Sequence, residues 1–154
     1  MRGLVSQLFH VVAGKYGQVA LRFRSLLVVV THLALIVAAH LTAFLLRFEG
    51  NIQPPFDQIM WRYLPAVLLI YWGGLWVFGI QRGLWRYVGL HDLGRIFWAT
   101  LTGSVVFFVL FYVGLGWSEY PRSIIILTGL LSGFYIAGIR LVVRWFREWL
   151  QIVG

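Results

Sequence analysis

The 154-residue sequence predicts an all-α fold, an integral membrane four-helix bundle preceded by an interfacial amphipathic helix. Four apolar runs, at about residues 26–46, 60–80, 96–117 and 123–143, come close to or reach the roughly 20 residues a helix needs to cross a hydrocarbon core. The composition agrees: 60% hydrophobic and only 12% charged residues are far from soluble-domain values, and the mean hydropathy is +0.83. Bilayer rather than water is therefore the main solvent, and function is to be sought in helices and short loops.

Residues 1–25 come first. Val5, Leu8, Phe9, Val12, Tyr16, Val19 and Phe23 recur at helical spacing, with Arg2, Gln7, Lys15, Gln18 and Arg22 mostly on other faces. That pattern describes a helix lying on the cytoplasmic leaflet. Gly14 and Gly17 each weaken it by about 1 kcal/mol relative to alanine, so a bend is expected there. A cleavable secretory signal does not fit, because the apolar run reaches Leu46 and further spans follow.

The first span carries His32 and His40, the histidines within the apolar runs. At about 100° and 1.5 Å per residue they point within about 80° of each other but lie about 12 Å apart, too far to share one metal ion. Neutral histidines bonded to neighbouring helices are expected. A bis-histidine haem would need a ligand from a second span, and no other span has a histidine.

Gly50, Asn51, Pro54 and Pro55 break the chain after the first span, and Asp57 restarts a helix that becomes the second. The connection at 118–122 is so brief that the third and fourth spans must form an antiparallel hairpin. Tryptophans 61, 72, 76, 85, 98, 117, 145 and 149 cluster toward span ends, where the indole anchors at the interface. The small-residue pairs Gly129/Gly133, Gly79/Gly83 and Ala99/Gly103 suit close helix packing, within the bundle or between two copies in a homo-oligomer. No connection is long enough to hold a second core, so one bundle accounts for residues 26–147, with 148–154 as a cytoplasmic tail.

Several chemistries are excluded. Cysteine is absent, which removes disulfides, thiolate catalysis and cysteine metal sites. Glu49, Asp57, Asp92, Glu119 and Glu148 all lie in loops or flanks, so no mid-bilayer carboxylate is available to a proton-coupled carrier. There is no Gly-x-Gly-x-x-Gly and no Gly-x-x-x-x-Gly-Lys-Ser/Thr, hence no dinucleotide or nucleotide phosphate cradle.

The net charge of +8 follows the membrane. Arg2, Lys15, Arg22 and Arg24, then Arg82, Arg86 and Arg95, then Arg140, Arg144 and Arg147 fall on one side; Arg47, Arg62 and Arg122 fall on the other. Ten against three directs both termini and the second loop to the cytoplasm. Membrane lipids, not nucleic acid, are the partners this charge implies, since no basic and aromatic module stands outside the bilayer.

The segment Gly79-Ile80-Gln81-Arg82-Gly83-Leu84-Trp85-Arg86-Tyr87-Val88-Gly89-Leu90-His91-Asp92-Leu93-Gly94-Arg95-Ile96 is the densest in signals. Asp92 is expected to cap the third span and to place a negative charge at its positive dipole end. Arg82, Arg86 and Arg95 collect near the headgroups with Trp85 and Tyr87, joined by Arg140 and Arg144 at the end of the fourth span. They either anchor to lipid phosphate or fork onto an attached domain or a phosphorylated ligand, a geometry lysine does not supply.

This run, together with Leu46-Arg47-Phe48-Glu49-Gly50, Pro121-Arg122-Ser123 and Gly138-Ile139-Arg140, resembles the membrane domain of bacterial nucleotide-sugar 4,6-dehydratases and epimerases. These enzymes serve capsule, O-antigen, lipopolysaccharide and glycoprotein glycan synthesis. The resemblance covers about residues 45–147. It implies a cytoplasmic NAD(P)-binding Rossmann domain attached after the fourth span, which carries catalysis; these 154 residues contain no part of it and are expected to bind no cofactor and turn over no substrate. Two alternatives remain: the membrane region of a polyprenyl-phosphate sugar-phosphate transferase, and a free-standing transporter or lipid-binding bundle.

Overall fold

The computed structural model describes residues 2–81 and 89–153 and, within them, side chains from residue 22 onward. All regular structure among the described residues is helical: α1 (Arg2–Arg47), α2 (Phe56–Val77), α3 (Leu90–Phe107), a π-helical continuation of α3 (Phe108–Gly114) and α4 (Arg122–Val153). The chain divides into two compact units, Met1–Thr31 and His32–Gly154.

The first unit is helical throughout its described residues. The amphipathic pattern expected for residues 1–25 falls mostly on side chains outside the described residues, and those described from Arg22 to Leu27 are exposed.

In the second unit one core gathers side chains from four helical segments, including Ile36 and Phe44 of α1, Val67 and Tyr71 of α2, Ile96 and Phe107 of α3, and Ile124 and Ile136 of α4. Three helices among the described residues are long and apolar enough to cross a membrane: Arg22–Arg47, Leu90–Gly114 and Arg122–Val153. α2, the expected second span, is not among them; Arg62, Pro65, Gly73, Gly74 and its Trp and Tyr residues interrupt its aliphatics. Its 22 residues are nonetheless about 33 Å long, close to the ~30 Å hydrocarbon thickness.

α2 lies antiparallel against α3 from one end to the other. Tyr63 packs on Phe111 and Trp117, Tyr71 bonds to Ser104, a Cβ on Gly74 would stand 2.9 Å from the Ala99 carbonyl, and Arg95 reaches the Phe78 carbonyl. α4 returns antiparallel to α3, as the 118–122 connection requires. Ser104 and Thr100 nest over Gly129 and Gly133: a Cβ on Gly129 would collide with Ser104 Oγ, and one on Gly133 would come 3.1 Å from Thr100 Oγ1. Both of these glycines, and Gly103 beneath the Tyr71 ring, thus serve packing within the chain.

Helix boundaries depart from the apolar runs where charge and helix propensity disagree. α3 starts at Leu90 rather than near 96, with Gly89 as its N-cap. Asp92 is therefore not the cap: its own N–H already bonds to the Gly89 carbonyl, so its backbone is helical and its side chain is left for another partner. α4 runs on to Val153 through the stretch expected as a tail, with an Arg144–Glu148 pair one turn apart supporting the exposed end.

Candidate functional site

The chemistry-bearing side chains of the second unit collect at the two ends of the helices. At one end α2 finishes in a glycine-based cap. Gly79, at φ +66°, allows its N–H to reach the Trp76 carbonyl and the Ile80 N–H to reach the Leu75 carbonyl. The chain then turns with the Phe78 and Ile80 carbonyls still needing donors, at the negative end of the helix dipole.

Two arginines supply those donors. Arg95 of α3 donates from Nη2 to the Phe78 carbonyl; the positive φ favours glycine at 79, and a Cβ there would stand 2.9 Å from the same Nη2 and displace it. Arg140 of α4 donates from Nη2 to the Ile80 carbonyl and from Nη1 to Asp92 Oδ2, 2.6 Å away. Arg140 is 1% exposed and Asp92 14%. A charge so desolvated persists only because a carboxylate and a carbonyl both receive it. His32 of α1, fully buried, lies within electrostatic reach of Arg140.

The arrangement ties α3 and α4 to the turn at 78–81, immediately ahead of residues 82–88 in the chain. Of the residues singled out in the sequence, Asp92, Arg95 and Arg140 are thus brought together and committed to this tie, while Arg144 is exposed and bonded to Glu148 at 2.7 Å. Arg82, Trp85, Arg86 and Tyr87 lie outside the described residues.

At the opposite end the buried polar group is His40. The Met60 carbonyl can only accept, so Nε2 carries the proton and donates to it at 3.1 Å. Nδ1 is then the acceptor for the Tyr120 hydroxyl at 3.3 Å. Burial pushes the Tyr120 phenol above its ordinary range, which keeps the donor protonated. Tyr120 also stacks among His40, Phe44, Tyr63 and Phe107. Between the two ends, the Tyr71 hydroxyl lies 2.8 Å from Ser104 Oγ and donates to the Ile125 carbonyl at 3.1 Å, joining α2, α3 and α4.

Sequence reasoning named Asp92 and Arg140 but did not pair them. The signal was present: Arg140 continues the stripe of Ile125, Thr128, Ser132 and Ile136 at helical spacing, so an arginine on the buried face demanded a carboxylate. The Tyr71–Ser104 and His40–Tyr120 contacts had no such signal, being 33 and 80 residues apart in the chain. No group of three or more His, Cys, Asp or Glu side chains able to hold a metal ion occurs among the described residues.

No family model, curated protein or solved structure matches the chain.

Proposed function

We propose that this chain is the four-helix membrane-anchoring domain of a nucleotide-sugar dehydratase- or epimerase-like enzyme of surface-polysaccharide or glycan synthesis, with both termini on the cytoplasmic side of a bacterial inner membrane. One observation carries the reading. Arg95 and Arg140, the latter paired with Asp92 and all three within the motifs that resemble that family, converge on the turn at 78–81 where α2 ends. The two arginines hold backbone carbonyls and Asp92 neutralises one of them, as suits a platform for a soluble domain rather than a catalytic centre. Arg82, Trp85, Arg86 and Tyr87 are then the residues available to contact that domain or a phosphorylated ligand.

The four-span topology is supported by the end-to-end register of α2 on α3: if α3 crosses the bilayer, α2 crosses beside it. Orientation is supported by the acids as well as the bases. Arg47, Arg62 and Arg122 share their side with Glu49, Asp57 and Glu119 and cancel, so the net +8 belongs entirely to the other side, the one retained in the cytoplasm. NAD(P) and catalysis belong to the attached domain.

The test is the coding sequence that follows Gly154 in the source genome. An in-frame strand and turn with Gly-x-x-Gly-x-x-Gly, followed by Tyr-x-x-x-Lys, is expected; a re-entrant membrane helix would point to a sugar-phosphate transferase, and an immediate stop codon would remove the anchoring role. In the full-length protein, Arg86→Lys and Arg86→Ala should both lower activity while membrane insertion persists, because lysine retains charge but not the forked geometry.

A further inference from the structure

The outer side of the α3–α4 pair carries an apolar groove of about 400 Å³, within the roughly 300–1,000 Å³ range of ligand sites. The small residues Gly129 and Gly133, packed against Thr100 and Ser104, make it deep, and exposed Phe97 and Phe134 stand among its walls. We propose that this groove binds one acyl chain of an anionic phospholipid from the leaflet on the Arg140 side, with the headgroup at Arg144. The inference needs α3 and α4 to lie in a membrane and is independent of the enzyme class proposed above.

Depth and charge select this occupant. On α3 the groove runs from Leu93 to Ser104, about 16 Å at 1.5 Å per residue. That is about half of a ~30 Å hydrocarbon core, the reach of one leaflet's chain. A helix from a second copy would need a seat along the whole span, whereas the lining on α3 stops at Ser104, short of the π-helical stretch.

The α4 lining residues Ile126, Leu130, Gly133 and Ala137 follow helical spacing, and the same stripe arrives at Arg144 about 10 Å beyond Ala137. There the chain passes from lipid to headgroup level. Arg144 is 46% exposed and shares its charge with Glu148, but the surrounding connections leave this side strongly positive, while the opposite side is neutral. An anionic headgroup is therefore favoured here over a zwitterionic one by about 1 kcal/mol per arginine engaged, about fivefold.

The whole chain, purified and exchanged into micelles containing phosphatidylglycerol or phosphatidylcholine with identical acyl chains, can be analysed by native mass spectrometry. One lipid per chain should be retained, with an about fivefold preference for phosphatidylglycerol. Arg144→Gln should abolish that preference and leave phosphatidylcholine retention unchanged. Ala137→Phe, which fills the groove, should reduce retention of both lipids about fivefold or more, with helical content and elution volume unaltered. Equal retention of the two lipids by the wild type, a preference that survives Arg144→Gln, or retention indifferent to Ala137→Phe would each overturn the assignment. A dimer that Ala137→Phe converts to monomer with lipid retention unchanged would give the groove to a second copy instead.

Discussion

Replacing Arg140 with methionine keeps much of the side-chain volume and removes the guanidinium, leaving Asp92 and the Ile80 carbonyl without their donor. Breaking a buried ion pair from one side costs about 3–5 kcal/mol. Asp92 is 14% exposed and regains some water, which puts Arg140→Met near the lower end, about 3 kcal/mol. Asp92→Leu strands a positive charge that is 1% exposed and belongs near the upper end, about 5 kcal/mol. For a chain of this size, at about 2–4 °C per kcal/mol, Arg140→Met should lower the melting temperature in detergent by about 6–12 °C, read by tryptophan fluorescence. The double variant Arg140→Met/Asp92→Leu buries no charge and loses only the bond to Ile80, so it should return to within about 1–2 kcal/mol of wild type. The coupling between the two sites is then about 6–7 kcal/mol. Single variants that each melt within about 1 kcal/mol of wild type, or losses that simply add in the double variant, would refute the reasoning.

Gly129→Ala should destabilise by about 1–3 kcal/mol through its collision with Ser104 Oγ, and Ser104→Ala in the same chain should relieve most of that loss; both are read by thermal unfolding. Gly94→Ala is the contrasting case, since a Cβ there meets nothing within 4 Å, and should stabilise α3 by about 0.5–1 kcal/mol. Tyr120→Phe leaves buried His40 Nδ1 without a donor and should cost about 1–3 kcal/mol in the same measurement. Because the chain has no cysteine, single cysteines at Asn51 and Gly89 can be labelled against a clean background with an impermeant reagent; in intact cells position 51 should react and position 89 should not, and the reverse would invert the topology.

The sequence by itself determined the solvent of this protein, the helical class, the three strongest spans and the asymmetry of charge. Each is local or additive: apolar length, turn residues and loop arginines report their consequences without reference to distant parts of the chain. It also exposed the tightness of the α3–α4 hairpin, because so short a connection admits one geometry. Tertiary structure alone decided which polar groups meet. Asp92 reads as an N-cap by composition, yet Gly89 caps the helix and Asp92 turns to Arg140 of another helix. Arg95 and Arg140 read as headgroup anchors, yet they donate to carbonyls freed by the end of α2, a need visible only once the Gly79 turn lies against α3 and α4. Gly129 and Gly133 read only as small residues suited to close helix packing, and it is the hydroxyls of Ser104 and Thr100 lying over them that show α3 packed there. Contacts of this kind depend on the register between antiparallel helices. That register is set by side-chain interlocking summed over the whole packed face, and no single residue in the sequence announces it.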